Sequence, residues 1–458
     1  MKDLTKGPVG GHVLHLAAFI TMSTLFQTLY FLADLYFVGR LGKEAVAGVG
    51  LAGNLMFVVL ALTQSLGAGA TSLIAQALGR KDRARAQLLF NQALALSLGA
   101  GLVFGVVAFA LRGGYSRWLA ADTATAVLSV QYLDWFVPAL VLQFPLVAMG
   151  AALRGMGDVK VPTAIQVATV VVNIVLAPVL MFGWPTGTPW GVAGAALASL
   201  VSVALGCIGF ALYFRREGSP VRFRTEDWRP QPVLWRELLR IGMPAGGEFA
   251  LMSVYAVLVY SIIRPFGAAA QAGFGIGVRI VQSLFLPVVA IAFATAPVAG
   301  QNFGARLGDR VRRAFYSAAG MAAVLMLALT VVCRLAAAPL IRFFNADPAV
   351  VAFGSEYLRI IAWNFVASGV VFVSSSVFQG MGNTLPPLGS SALRLLLFAF
   401  PAYAISRRPA FQLWHVWYVS VASVTVQLCA NTWLLHREFG RKLPPLAAPG
   451  PQPIAARG

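Results

Sequence analysis

Charged residues are scarce in this chain, because only 11% of its 458 residues are Asp, Glu, Lys or Arg. In a typical soluble domain about a quarter of the residues are charged. Hydrophobic residues make up 59% of the chain, and the mean hydropathy is +0.76. This composition excludes an ordinary soluble domain and predicts a protein that crosses a membrane many times.

Cysteine and histidine are also rare, and no ATP-binding motif is present. The three cysteines, Cys207, Cys333 and Cys429, all fall inside apolar runs, which is typical of packing residues rather than of disulfides or metal ligands. The four histidines show no metal-ligand spacing, and the chain contains no Walker A sequence. We therefore expect no metal site and no ATP-driven activity.

The chain has 16 acidic residues against 35 Lys and Arg, which gives a net charge of +19. The basic residues lie in short loops between apolar segments and not along one solvated face, so we expect no nucleic acid partner. The loops on the side of the two termini hold most of the Lys and Arg, from Lys2 to Arg457, with dense runs at 80–85, 215–240 and 306–313. The positive-inside rule places both termini in the cytoplasm.

Twelve apolar segments are long enough to span a bilayer, which takes about 20 helical residues. The predicted fold class is therefore an all-α polytopic membrane protein. The predicted spans are 13–39, 47–70, 87–111, 130–153, 161–183, 190–214, 238–263, 272–298, 314–338, 355–379, 385–405 and 412–435.

The two halves of the chain repeat each other at a constant shift of 225 in residue number (267 − 42). This repeat shift takes Gly42 to Gly267, Gln76 to Gln301, Gly79 to Gly304, Tyr132 to Tyr357 and Pro162 to Pro387. Because six is an even number of spans, both halves enter the membrane from the same side, so the repeat is parallel. We predict an N-terminal six-helix lobe at 1–214, a cytoplasmic loop at 215–236, a C-terminal six-helix lobe at 237–436 and a cytoplasmic tail at 437–458, with a pseudo-twofold axis along the membrane normal.

One acid interrupts the first apolar span. Gln27 and Tyr30 precede Asp34 by seven and four residues, so the three side chains share one face of a helix. A charged Asp in the bilayer centre costs about 2.5 to 3.5 kcal/mol on insertion scales, and such residues usually face a wet cavity. A dry environment favours the neutral carboxyl and hydration favours the charged one, which suits a proton switch. Gln166 and Asn173 share a face of the fifth span and could hydrogen-bond this acid or a substrate.

The sequence at this point resembles the MATE family of multidrug and toxic compound extrusion transporters. The matching motifs are 34–42 (DLYFVGRLG), 153–158 (LRGMGD) with Pro162, 173–178 (NIVLAP), 191–196 (GVAGAA), 241–244 (IGMP) and 300–305 (GQNFGA). They cover nearly all of both halves in the order of the family. The resemblance is nearest to the DNA-damage-inducible branch.

The resemblance implies an antiporter that exports bulky cationic or amphipathic compounds in exchange for protons or, less favoured, sodium. Asp34 matches the family's coupling-ion carboxylate, with Tyr30 and Asn173 as its polar partners. We expect Gln27, Gln166, Ser199 and Glu248 to line the substrate cavity. The expected partners are a small-molecule substrate and membrane lipid, with no cofactor beyond the coupling ion, and the protein is expected to be a monomer in a bacterial inner membrane.

Two departures from the family pattern bear on mechanism. The position where the branch often carries a second acid is Ala177, which leaves few oxygens for a sodium ion and favours protons. No proline stands in residues 16–21, where the branch often has one. On the seventh span, Met252 occupies the position of the glutamate of sodium-coupled members, and Glu248 lies one turn earlier, where it is either a second coupling site or a partner of Arg279.

Two other functions compete with drug export. A flippase for lipid-linked oligosaccharides or precursors, from the same superfamily, would line its cavity with several arginines, and only Arg279, Arg359 and Arg394 fall within spans. A membrane-embedded enzyme would need clustered acids, histidines or metal ligands, which the sequence does not show. Asp134, near the start of the predicted fourth span, is interpreted as a structural acid that interacts favourably with the helix dipole.

Overall fold

The computed structural model describes residues 3–184, 187–216, 219, 221–409 and 411–443. Lys2, Arg457 and most of the predicted tail, 444–458, lie outside the described residues. The described chain is helical almost throughout, which confirms the predicted fold class. Its helices are α1 (Val9–Gly39), α2 (Lys43–Gly79), α3 (Arg83–Leu119), α4 (Thr123–Gly155), α5 (Lys160–Phe182), α6 (Gly191–Arg215), α7 (Pro232–Ile263), α8 (Gly267–Gly304), α9 (Gly308–Leu335), α10 (Ala337–Arg342), α11 (Pro348–Ile361), α12 (Asn364–Gly380), α13 (Leu385–Ser406) and α14 (Leu413–Lys442).

Several helices extend beyond the predicted spans. Helices α2 and α3 each have 37 residues, and α7 begins inside the loop predicted at 215–236. Helix α14 likewise continues to Lys442, into the predicted tail. The apolar pattern reports only the part of a helix in hydrocarbon, about 30 Å thick, and helices continue past it with polar residues.

Ten helical stretches of the described residues are long and apolar enough to cross a membrane, or eleven if the bent pair α11 and α12 is one span. One of the ten covers residues 232–304 and so contains both α7 and α8. This stretch must fold back on itself, because both of its ends meet the same part of α2. A Cβ atom on Gly69 would lie 2.3 Å from the Leu238 carbonyl oxygen, and one on Gly79 would lie 2.0 Å from that of Gln301. Counting α7 and α8 separately, and the bent pair α11 and α12 as one span, gives the predicted twelve spans.

The predicted span 355–379 is wrong as a single straight helix. It is divided into α11 and α12, which meet at a bend of 55° beside Ala362 and Trp363. The Ala362 carbonyl accepts a hydrogen bond from the Thr330 hydroxyl of α9 at 3.0 Å. A neighbouring side chain thus uses a backbone acceptor at the break, which is a recognised cause of helix bending.

The interpretation of Asp134 as a residue at a helix start is also wrong. Helix α4 begins at Thr123, so Asp134 lies three turns inside it. Its carboxylate accepts a bond from the Arg112 guanidinium of α3 at 2.5 Å. The structure thus places this acid in an ion pair between α3 and α4, and its structural role stays a prediction.

The internal repeat is visible in the backbone. Lys81 and Arg306 are related by the repeat shift, have φ of 62° and 60°, and are the two non-glycine residues with positive φ in the described chain. Each stands in the short turn after a long helix, α2 or α8, where the left-handed conformation ends the helix. The same turn has therefore formed twice, once in each half.

Helix α1 contacts both halves of the chain. Val9, Val13 and Leu16 are buried with residues of α8 and α9, whereas Val38 belongs to the core formed by α2, α4, α5 and α6. The second part of α1, which carries Asp34, thus packs on the N-terminal half. The division into the lobes 1–214 and 237–436 stays a prediction.

Candidate functional site

Four helices meet around Asp34. Helix α1 supplies Asp34 and Tyr30, α4 supplies Tyr132, α5 supplies Asn173 and α6 supplies Ser199. Helices α5 and α6 approach closely because α6 carries small residues near its start. A Cβ atom on Gly194 would lie only 2.5 Å from the Leu180 carbonyl oxygen of α5. This close approach places the α6 hydroxyl next to the α5 amide.

Ser199 lies at the centre of the hydrogen bonds at this site. Its hydroxyl lies 2.9 Å from the Tyr30 hydroxyl, 3.3 Å from Asn173 Nδ2 and 3.2 Å from the Ala195 carbonyl oxygen. A serine has one hydroxyl hydrogen and two lone pairs. Ser199 donates to Ala195, so it accepts from both Tyr30 and Asn173. The structure thus places Ser199 between Tyr30 and Asn173, the two predicted partners of Asp34, and its side chain is buried.

Asp34 is not part of that hydrogen-bond network. Its Oδ1 atom is buried and receives no hydrogen bond, and no Lys or Arg of the described residues forms an ion pair with it. The carboxylate lies close enough to Tyr30 and Tyr132 to act on both hydroxyls electrostatically. An unpaired carboxylate in such surroundings is costly, and a bound proton removes its charge. This is the chemistry that a proton-binding site requires.

A ladder of polar contacts connects α1 to α5 on the side of the site nearer the start of α1. The Gln166 side-chain amide donates to Gln27 Oε1 at 2.9 Å. One turn of α1 earlier, the Ser23 hydroxyl donates to Thr163 at 3.0 Å. The predicted residues Gln27 and Gln166 are therefore partners of each other. Ser23 was missed, although it continues the spacing of Gln27, Tyr30 and Asp34 on the same face.

Glu248 lies apart from these residues. It stands on α7 beside Ser375 of α12, and its neighbour Gly247 faces Leu388 of α13. Within the described residues it forms no ion pair with Arg279. Of the predicted site residues, the structure brings together Asp34, Tyr30, Asn173 and Ser199, with Gln27 and Gln166 adjacent, and leaves Glu248 in the other half.

The two halves cross at a point defined by Gln76 and Gly79 of α2 and by Gln301 and Gly304 of α8. A Cβ atom on Gly79 would lie 2.0 Å from the Gln301 carbonyl oxygen, and one on Gly304 would lie 2.1 Å from that of Gln76. The Gln76 side chain donates to the Gly380 carbonyl at 2.8 Å, and the Gln301 side chain donates to that of Gly155 at 3.0 Å. Replacing each residue by its counterpart in the other half turns the Gly79–Gln301 contact into the Gly304–Gln76 contact. The same replacement turns the hydrogen bond of Gln76 into that of Gln301, so the two halves present the same surface to each other at the crossing point.

The start of the chain covers the crossing point. The Leu4 backbone N–H donates to Gln301 Oε1 at 3.0 Å, and its carbonyl accepts from Asn302 Nδ2 at 3.1 Å. Leu4 itself is fully buried. Asp34 is five residues from the far end of α1, so it lies towards the opposite end of the molecule. The halves are thus joined on the terminal side, away from Asp34.

Comparison with known proteins gives a consistent result. The family model MatE matches residues 20–179 and 244–404. The chain is 25% identical to the probable multidrug resistance protein YoeA of Bacillus subtilis over 89% of each chain. It is 26% identical to the FAD transporter of Shewanella oneidensis over 88% of this chain and 90% of that protein.

Solved structures show the same architecture. A MOP superfamily transporter from Pyrococcus furiosus, with a binding pocket described as reversed in polarity, superposes with a TM-score of 0.87 at 25% identity. The match covers 96% of this chain and 97% of that one. The fold therefore extends over almost the whole chain.

Proposed function

We propose, from the premise that this chain belongs to the MATE family of membrane transporters, that it exports bulky cationic or amphipathic compounds in exchange for protons bound at Asp34. As a member of this family the chain is a transporter and not an enzyme. The observation that carries the proton site is the Asp34 carboxyl group itself. Its Oδ1 atom is buried and receives no hydrogen bond, and no Lys or Arg of the described residues forms an ion pair with it. Ser199 already makes three hydrogen bonds to other groups.

A proton fits this site better than a sodium ion. A desolvated cation needs several oxygens in place of its hydration shell. Ser199 already makes three hydrogen bonds, and Ala177 stands where a second acid would provide more oxygens. Protonation needs only the carboxyl group, and it removes the cost of the buried charge.

The crossing point supports a mechanism of alternating access. The contacts that join the halves on the terminal side support proton uptake at Asp34 from the opposite side. The excess of Lys and Arg in the loops on the terminal side makes that side cytoplasmic, in a bacterial inner membrane. Proton uptake at Asp34 from outside and substrate binding from inside then favour opposite arrangements of the two halves, which is the requirement for exchange.

Drug susceptibility of cells expressing Asp34→Asn tests this function. The amide keeps the shape of the side chain, but it neither gains nor loses a net proton near neutral pH. We expect loss of resistance at unchanged expression. Glu44→Gln is the matched control, because Glu44 is a partly exposed acid at the start of α2, near the same end of the molecule.

The coupling ion is tested in the same cells by dye efflux. Proton exchange is supported if a protonophore abolishes dye efflux and if sodium has no effect on it. Full resistance in the Asp34→Asn variant would contradict the proposed role of Asp34, and efflux that requires sodium would contradict the coupling ion.

A further inference from the structure

The second half of the chain contains a counterpart of the Asp34 site. The repeat shift takes Tyr30 to Tyr255 and Tyr132 to Tyr357. The Tyr255 hydroxyl lies 3.0 Å from the Ser420 hydroxyl, which repeats the contact of Tyr30 with Ser199. The position equivalent to Asp34 is Val259, so this site has no acid there.

A cation takes part in this second site instead. Arg394 of α13 is spaced by four residues from Ser390 and from Phe398, which are both buried. Residues four apart lie on one face of a helix, so Arg394 faces the interior of this half and not the lipid. Its guanidinium carbon lies 5.1 Å from the centre of the Tyr255 ring, a cation–π contact.

The Arg394 guanidinium has no acceptor within the described chain. Its Nε atom is buried without a hydrogen-bond partner, and no Asp or Glu among the described residues forms an ion pair with it. Arg394 lies nine residues from the start of α13 and twelve from its end, near mid-span. It is therefore about 13 Å along the helix from the nearer end, too far for a lipid headgroup to be reached easily. Intramembrane arginines without a partner usually mark a ligand pathway.

Other buried polar atoms of this half also lack partners. They belong to residues of α12 and α14, which pack together. The atoms without a hydrogen bond are Asn364 Oδ1, Trp417 Nε1 and Asn431 Oδ1. Buried polar atoms in native proteins are normally bonded to protein, water or ligand. Of these residues, Asn364 belongs to the second site, because its Nδ2 atom lies 3.4 Å from the Ser420 hydroxyl that Tyr255 also contacts.

We propose that Arg394, resting on Tyr255, binds the anionic group of an amphipathic solute, a carboxylate, sulfonate or phosphate. The fork of guanidinium N–H groups matches two oxygens of such a group, and the apolar body of the solute packs against the aromatic rings beside it. Tyr255 contacts Phe398 at a ring distance of 4.6 Å, which extends this apolar wall. This inference rests on the proposed export function and widens its substrates to zwitterions and organic anions.

Binding of two xanthene dyes to the purified full-length protein in phosphatidylcholine nanodiscs tests the proposal. Fluorescein is anionic and rhodamine 123 is cationic, and the two share one ring system. We expect Arg394→Gln to weaken fluorescein binding at least tenfold by fluorescence polarisation and to change rhodamine 123 binding less than twofold. Arg394→Lys keeps the charge without the fork and should recover part of the fluorescein affinity. The control is Arg359→Gln, which removes an exposed arginine of α11.

Equal fluorescein affinity in wild type and Arg394→Gln would overturn the proposal. Equal loss of both dyes would also overturn it, because that result reports general damage to the cavity. Nanodiscs that contain the anionic lipid phosphatidylglycerol distinguish a solute site from a lipid site. If fluorescein binding is lost only in these nanodiscs, the site belongs to a lipid headgroup, and the proposal of a solute site is overturned. The assay needs no gradient and no Asp34, so failed export in cells leaves its result unaffected.

Discussion

Replacing Gly79 with Ala should open the crossing point between the halves. The added Cβ would lie 2.0 Å from the Gln301 carbonyl oxygen, whereas ordinary contacts begin at 3.4 Å. The helices α2 and α8 must therefore separate by about 1.4 Å, because a backbone oxygen cannot rotate away. Overpacking of this kind costs about 1 to 3 kcal/mol. The joined state should lose population by roughly 5- to 150-fold relative to the state open on the terminal side.

A cysteine at the interface measures this change. Ser72 is fully buried, and its hydroxyl donates to the Gln379 carbonyl across the halves at 2.5 Å. In a background without Cys207, Cys333 and Cys429, Ser72→Cys should react slowly with a thiol reagent, and Gly79→Ala should raise its rate by a similar factor. Gly304→Ala should do the same, because its Cβ would lie 2.1 Å from the Gln76 carbonyl oxygen.

Gly320→Ala is the control for the general effect of alanine on helix stability. It lies within α9 with no atom within 4 Å of the added Cβ. The same labelling rate in Gly79→Ala and Gly320→Ala would refute the interpretation that this contact holds the halves together.

Two further variants separate the site from its surroundings. Tyr30→Phe removes the hydrogen bond to Ser199, which is worth about 0.5 to 1.5 kcal/mol. Dye efflux should therefore fall roughly 2- to 12-fold without being abolished. Unchanged efflux would exclude a role for this hydroxyl. Asp134→Asn weakens the partly exposed ion pair with Arg112, which is worth about 0.2 to 1 kcal/mol. The melting temperature should fall slightly, and dye efflux should remain. Lost efflux in a well-folded variant would assign Asp134 to coupling.

The repeat made much of the fold predictable. The repeat shift pairs Gly79 with Gly304 in the sequence alone, and the two indeed meet at one crossing point. A repeated glycine does not by itself indicate a contact, because Gly42 and Gly267 are paired by the same shift and a Cβ atom on either would meet no other backbone within 4 Å. The sequence could not indicate that each glycine contacts the opposite half, because the contact depends on how the halves cross.

The bend between α11 and α12 was not predictable from local sequence. Neither Ala362 nor Trp363 breaks a helix by itself, and the hydrogen bond from Thr330 that accompanies the bend comes from another helix. The prediction for Asp134 failed for a related reason, since the start of α4 lies in a polar segment that the apolar pattern does not cover.

The candidate site was only partly predictable. Helical spacing placed Gln27, Tyr30 and Asp34 on one face, and the structure shows Gln27 and Tyr30 on the side of α1 that meets α5 and α6. The position of Ser199 between Tyr30 and Asn173 depends on the close approach of α5 and α6 at Gly194. Such a contact distance is a property of packing, and no spacing rule in one helix contains it.

Transport by the purified protein in proteoliposomes tests the central role of Asp34 most directly. Vesicles with an acidic interior let protons leave as dye enters, so wild type should accumulate rhodamine 123 until the pH gradient is collapsed. Asp34→Asn should show no accumulation, although its dye binding is retained. Gradient-driven accumulation by Asp34→Asn at the wild-type rate would contradict the account.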